Sequence, residues 1–189
     1  MKKAYRMIHD ENLCIGCQAC SVACRSENEV PRGVFRLQVH SQIKGKFPNL
    51  KTDFSRHSCV MCEDAPCVAV CPTGASFQTS DGIVLLDHST CVSCKYCILA
   101  CPYDARVVDP VTHAIGKCTF CYTNRTSKGL QPACVSVCPT DALVFGDVND
   151  AGSGVNKLLA KTSVEYPKAY LNTKPRLANI KNKKGGRYE

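Results

Sequence analysis

Tryptophan is absent from this 189-residue chain, and only 7 % of its residues are aromatic. Large apolar side chains are therefore scarce, too scarce to close an ordinary core on their own. Long hydrophobic runs are missing as well. The longest wholly aliphatic one, Ile83 to Leu86, falls far short of the roughly 18 apolar residues needed to cross a bilayer, which predicts a soluble or peripheral protein. After Met1-Lys2-Lys3 the sequence passes straight to Tyr5-Arg6-Met7-Ile8-His9-Asp10, with neither the apolar stretch of a signal peptide nor a twin arginine. Alone, such a chain is expected to stay in the cytoplasm. The histidines His9, His40, His57, His88 and His113 show no H-x2-H or H-x3-H spacing and read as structural. Gly152-Ser153-Gly154 is too short for a dinucleotide fingerprint.

What the chain has in abundance is cysteine, sixteen in all. Repeated C-x2-C runs suit convergence on metal better than eight separate bridges, so a disulfide scaffold is disfavoured. The cysteines fall into four quartets: Cys14, Cys17, Cys20 and Cys24; Cys59, Cys62, Cys67 and Cys71; Cys91, Cys94, Cys97 and Cys101; and Cys118, Cys121, Cys134 and Cys138. Pro72, Pro102 and Pro139 follow the last cysteine of three quartets, and Arg25 takes that place in the first. Zinc is the serious rival, because C-x2-C is its commonest half-site. Three close cysteines plus a fourth before proline is, however, the spacing of two-cluster iron–sulfur proteins, where the fourth thiolate ligates the neighbouring cluster.

Ligand exchange between neighbouring motifs gives definite sets. Cys59, Cys62, Cys67 and Cys101 hold one cluster, and Cys91, Cys94, Cys97 and Cys71 another. By elimination motifs one and four exchange across the chain: Cys14, Cys17, Cys20 and Cys138 hold a third, and Cys118, Cys121, Cys134 and Cys24 a fourth. Four 4Fe-4S clusters use all sixteen thiolates, and no quartet lacks a ligand as a 3Fe-4S site would require. Lys95, Arg106, Lys117 and Arg125 lie near these cysteines in sequence and are candidates for raising cluster potentials.

The expected architecture is α+β: two nested ferredoxin-like modules of short strands, short helices and many loops, with an extended C-terminal tail. Residues 1–28 with 105–148 form the outer module and 59–104 the inner one. Alternation over Ala4 to His9 predicts a strand leading to the first ligand loop. Ser80-Asp81-Gly82 before Ile83 to Leu86 predicts a hairpin. Residues 29–58, with a strand-like stretch at Val34 to Val39 and turn residues Gly45, Pro48 and Asn49, read as an insertion hairpin. The end of motif four, Val135 to Ala142, echoes Val68 to Ala75, the mark of a duplicated unit. Val155 to Lys161 suits a short amphipathic helix.

The formal net charge is +8, yet residues 151–189 alone hold nine Lys or Arg against two Glu. Four bound clusters, each about −2 with its thiolates, bring the loaded protein near neutrality. Residues 149–189 accordingly read as a basic docking extension, ordered from Thr173 onward by contact with something else, whose removal after Asp150 leaves the clusters in place. Nucleic acid is an unfavoured partner, since this extension is poor in stacking aromatics. Four clusters without substrate-pocket chemistry suit electron transfer, with no catalysis by the chain alone.

Cys14-Ile15-Gly16-Cys17-Gln18-Ala19-Cys20, Cys71-Pro72-Thr73-Gly74-Ala75, Cys101-Pro102-Tyr103-Asp104-Ala105-Arg106 and Lys117-Cys118-Thr119-Phe120-Cys121 together resemble the iron–sulfur subunit of the dimethyl sulfoxide reductase family over residues 4 to 148. Asn28-Glu29-Val30-Pro31 with Gly33-Val34-Phe35 is most similar to the polysulfide and thiosulfate reductase beta subunits. The resemblance implies a complex with a molybdopterin catalytic subunit and an integral membrane quinol-binding subunit, the chain being peripheral to the membrane through its partner. It also implies a periplasmic, extracytoplasmic place at the inner membrane, reached by export with the catalytic subunit. The alternative is a free cytoplasmic polyferredoxin.

Overall fold

The computed structural model describes residues 3–181. Its central sheet has three strands. β1 (Tyr5–Asp10) pairs antiparallel with a strand formed by Leu143–Asp147 and, on its other edge, parallel with one formed by Leu177–Ile180. Tyr5 and Met7 turn one face toward the cysteine-rich core, where Tyr5 stacks on Phe145 at 5.2 Å and Phe145 meets Phe120 edge-on. Ile8 turns the opposite way, onto Val155 and Ile180. This alternation is the period-2 geometry of a strand buried on both faces.

Between these strands the chain makes short elements joined by ligand loops. α1 (Ala19–Glu27) is followed by a long ribbon of β2 (Leu37–Lys46) and β3 (Asn49–Ser58), then α2 (Pro66–Ala69), β4 (Ser76–Gln78), β5 (Val84–Leu86) and α3 (Tyr96–Leu99). β6 (Val107–Val108), β7 (Ile115–Gly116), α4 (Ala133–Ser136), β8 (Leu143–Asp147), α5 (Gly154–Leu159) and β9 (Leu177–Ile180) complete it. The hairpin expected at Ser80-Asp81-Gly82 joins β4 to β5, and Gly82 has the positive φ, 75°, that such a turn favours. The β2–β3 ribbon buries only its root, at Leu37, Val39, Arg56 and Ser58, while Ile43, Phe47 and Leu50 at its far end stand in solvent. α1 packs against α4 and α2 against α3.

The C-terminal extension is a correction to the sequence reading. Residues 149–181 fold into the body of the protein. Ser153 caps α5 through its hydroxyl, which accepts from the Asn156 N–H at 3.3 Å, and Val155 is completely buried. From Thr173 the chain lies along motif two: Glu63 N–H donates to the Lys174 carbonyl and Asp64 N–H to that of Thr173, and Arg176 N–H donates to the Val60 carbonyl. β9 then completes the sheet. Three of the cations that suggested docking pair with acids within the fold, Lys174 with Asp64 (2.8 Å) and Lys181 with Glu11 (2.8 Å), with Arg176 near Glu63. The sequence reading followed net charge and did not single out Leu177–Ile180, to which the open edge of β1 offers a partner. Residues 182–189 of the expected extension lie outside the described residues.

Leu177 is 2 % exposed, and truncating a buried leucine costs about 2–5 kcal/mol. The Leu177→Ala protein is therefore expected to lose its clusters at a lower guanidinium concentration than the parent, while Leu171→Ala, at a half-exposed turn, changes the midpoint little. Truncation after Asp150, which removes β9 and α5, is expected to cost cluster retention as well. Anaerobic denaturant titration followed by visible absorption checks all three.

Candidate functional site: the thiol-lined cavities

The ligand loops share a backbone device. In the C-x2-C run that opens each quartet, the residue just before the second cysteine has a positive φ: Gly16 (69°), Met61 (54°), Ser93 (53°) and Phe120 (54°). Only glycine takes that conformation without cost, and other residues pay on the order of 1 kcal/mol or more. The reversal curls the loop so that successive thiols line one side of it. At Gly16 there is a second constraint, since a Cβ there would sit 2.4 Å from the Phe54 ring. A second reversal follows three of the remote cysteines, at Gly74 (70°), Asp104 (49°) and Asp141 (52°), each two residues beyond its proline.

Proline also explains why the first motif looks different. Pro72, Pro102 and Pro139 follow remote cysteines that lie just beyond four-residue helices, α2, α3 and α4. A proline in the next turn bars extension of each helix. Arg25 imposes no such stop, and α1 runs for nine residues with Cys24 inside it. The Arg25 guanidinium turns back instead, donating to the Pro31 carbonyl at 3.0 Å and lying 4.9 Å from the Phe35 ring centre.

Three cavities are lined by four cysteines each. Cys14, Cys17, Cys20 and Cys138 surround about 380 Å³ of free space, open mouth included. Cys59, Cys62, Cys67 and Cys101 surround about 360 Å³, and Cys24, Cys118, Cys121 and Cys134 about 310 Å³. Of the remaining four, Cys71 lies close enough to Cys97 for their charges to interact. Cys91 and Cys94 lie on the loop entering α3, where Cys94 is exposed. All sixteen are free thiols. Among the described residues no three Cys, His, Asp or Glu side chains converge tightly enough for a single metal ion, so the quartets are spaced for something larger than zinc. Soft sulfur donors in sets of four, around a cavity closed by apolar side chains, fit an iron–sulfur cluster.

Burial dominates the electrostatics. It pushes the thiols of Cys62 and Cys134 up to about 12 and raises those of Cys14, Cys20, Cys24, Cys97, Cys101 and Cys121. Cys71 goes the other way, held down chiefly by the Ser76 N–H at 3.3 Å. Burial, with Arg56 adding to it, also lowers His9 to about 4, so its ring is neutral at ordinary pH.

Family models agree with this donor set. Residues 13–75 and residues 50–148 each match a 4Fe-4S dicluster domain. The B subunit of polysulfide reductase from Wolinella succinogenes is 57 % identical over 188 residues, 98 % of either protein. The chain belongs to this iron–sulfur family. The thiosulfate reductase electron transfer subunit PhsB of Salmonella typhi is 51 % identical over 149 residues, 78 % of both proteins. Protein NrfC of Escherichia coli K12 is 49 % identical over 183 residues, 96 % of this chain and 82 % of the relative.

This dicluster protein is thus an iron–sulfur electron-transfer subunit of the polysulfide and thiosulfate reductase type, with two dicluster domains and sixteen cysteines for four 4Fe-4S clusters. Among its described residues no helix is long and apolar enough to cross a membrane. The cations singled out from sequence divide sharply. Lys95 is exposed, and Arg125 pairs with Glu27 at 3.1 Å. Lys117 is buried, its ammonium donating to the carbonyls of Val84 and Cys118, which ties the β4–β5 hairpin to motif four. Arg106 alone reaches the thiols, lining the cavity of Cys59, Cys62, Cys67 and Cys101. Arg56 escaped the sequence reading although it lines two cavities. It stands three residues before Cys59, outside every quartet, and no spacing rule connects it with motifs one and four.

The raised thiols set the sign of a pH effect. Protonated in the apo-chain at neutral pH, they must release protons when a cluster binds, so higher pH favours loading. Reconstitution of apo-protein with iron and sulfide is expected to be slower and less complete at about pH 6.5 than at about pH 8.5, the upper value being near the ordinary thiol pKa, as followed by visible absorption and proton release.

Proposed function

We propose that the chain relays electrons between a membrane subunit that oxidises quinol and a molybdopterin subunit that reduces polysulfide or thiosulfate, on the extracytoplasmic face of the inner membrane. The names of its relatives, a polysulfide reductase B subunit and a thiosulfate reductase electron transfer subunit, support the type of complex. The observation that carries the relay is the pattern of exposure. Cys17 and Cys94 are the two exposed cysteines, one in motif one and one in motif three, whereas Cys24, Cys118, Cys121 and Cys134 are all buried. Each bound cluster supplies a one-electron couple.

In this reading the four ligand sets are those of two nested modules: Cys14, Cys17, Cys20, Cys138 and Cys24, Cys118, Cys121, Cys134 in the outer one, Cys59, Cys62, Cys67, Cys101 and Cys71, Cys91, Cys94, Cys97 in the inner one. The first and last sets open toward solvent and form the two ends of the relay. Around Cys94 the side chains of Val92, Tyr96 and Leu99 are exposed, and around Cys17 those of Leu13 and Ile15. Apolar cover beside an exposed ligand suits a partner that seals the cluster from water. Lys117 holds the two modules together between these ends.

Anaerobic purification is expected to yield about sixteen irons and as many sulfides per chain, four of each per cluster, with the two partner subunits co-eluting. About eight irons per chain, or a chain that always elutes alone, overturns the reading. Ligand exchange has its own test. If Cys71 and Cys94 serve one cluster, the double variant Cys71→Ala, Cys94→Ala retains about twelve irons, whereas separate clusters leave about eight, again at four irons per cluster.

A further inference from the structure

Arg56 and Arg106 are the two arginines that line the thiol cavities and are nine-tenths buried, at 8 % and 5 % exposure. They are held alike. One guanidinium nitrogen of Arg56 donates to the Ser58 hydroxyl, and one of Arg106 donates to the Ser76 hydroxyl. In each the remaining two nitrogens, Nε and Nη2 of Arg56 and Nε and Nη1 of Arg106, make no well-formed hydrogen bond within the protein. A buried N–H left this way is destabilising, and anionic sulfur nearby would offset that cost. Both arginines stand against two quartets at once. Arg56 lines the cavity of Cys14, Cys17, Cys20 and Cys138 and also that of Cys24, Cys118, Cys121 and Cys134. Arg106 lines the cavity of Cys59, Cys62, Cys67 and Cys101, and its charge also acts on Cys97 of the remaining set.

Their sequence positions show that this likeness was reached by different routes. Five residues beyond the remote cysteine, motif two has Ser76, motif three Arg106 and motif four Leu143. The inner pair thus meets across its own repeat, Arg106 bonding Ser76. Motif four has an aliphatic side chain where the cation would be, and Leu143 lines the same cavity as Arg56. The cation there comes from outside the repeat, on β3 of the inserted ribbon. The root of that ribbon, whose far end stands in solvent, carries this side chain inward.

We propose that Arg56 and Arg106 are equivalent redox-positioning residues, each placing one guanidinium between the two clusters of its module and raising both reduction potentials together. This rests on the ligand sets given above. Adding an electron makes a cluster more negative, and a fixed cation in a dry site stabilises that state. Because Arg56 lines only the cavities of the outer sets and Arg106 only that of an inner set, the potentials form two independently adjustable pairs.

The test is an EPR-monitored redox titration of the cluster-loaded complex, with iron counted on the same samples. Arg56→Gln is expected to lower two of the four potentials, each by a tenfold or greater change in the reduction equilibrium, about 59 mV for one electron. Arg106→Gln is expected to lower the other two, and the double variant all four. Arg56→Lys, which keeps the charge, should remain near the parent, an outcome that a purely structural role would not produce. Where Arg56→Gln fails to retain its iron, Ser58→Ala, which leaves the cation but releases its anchor, is titrated instead and should move the same pair. Full iron content with unmoved potentials, with one shifted potential, or with all four shifted by one arginine overturns the proposal. A parent protein with fewer than about sixteen irons fails the ligand assignment instead.

Discussion

Sixteen thiols gathered around four sites, seven of them buried outright and only two exposed, are the constraint on which the rest of this structure depends. A buried thiol resists ionisation, and a buried thiolate without a cation costs several kcal/mol. The protein accepts both costs because metal joins loops that few large apolar residues could hold together. Its loops are therefore short, reversed at one or two residues each, and closed by side chains that act as walls. Met61 and Phe120, both in left-handed conformation, are almost fully buried. Each turns the loop and fills the space behind it. Strain of this kind persists only where surrounding contacts over-determine it, which here means the cluster in front and the apolar side chain behind.

How much of this is legible in the sequence depends on whether a feature is local. The quartets, the β4–β5 hairpin and the strand at Tyr5–Asp10 can be read because spacing, Asp81-Gly82 and period-2 alternation act over a few residues. The change of helix length at Arg25 is also local, and follows once proline is seen as a stop. β9 is different. Leu177–Ile180 is an ordinary four-residue string in a basic stretch, and it becomes a strand only because the far end of the chain leaves an edge of β1 open. Among the loop reversals, Gly16 is marked by its residue type, but Met61, Ser93 and Phe120 are not. Their conformation is imposed by the ligands on either side.

Charge gives the clearest case of a global property misread locally. The excess of Lys and Arg beyond residue 150 suggests an arm for another molecule, yet the structure commits Lys174, Arg176 and Lys181 to acids in motif two and beside β1. Of these pairs Lys174–Asp64 is exposed on both sides and worth little in energy, while Arg176–Glu63 and Lys181–Glu11 each set one largely buried side chain against a more open one. Their value is in register: they fix the extension across motif two so that Thr173 reaches the Tyr103 hydroxyl at 2.6 Å, just beyond Cys101. The extension is thus part of the wall around a ligand loop.

The same distinction separates useful cations from solvated ones near the clusters. Proximity in sequence selects Lys95, Arg106, Lys117 and Arg125, and folding takes Lys95 into solvent, Arg125 to Glu27 and Lys117 to backbone carbonyls, leaving only Arg106 at a thiol cavity. Burial selects Arg56 and Arg106. A surface ammonium near a cluster is weakened by water and, beyond about 8 Å at physiological salt, screened by dissolved ions, whereas a guanidinium inside the wall acts through a medium of much lower dielectric constant. A fold that must stabilise negative charge at four sites gains most from cations it cannot expose. Placing each between two sites lets a single desolvated charge act twice, at half the burial cost of a separate cation for each cluster.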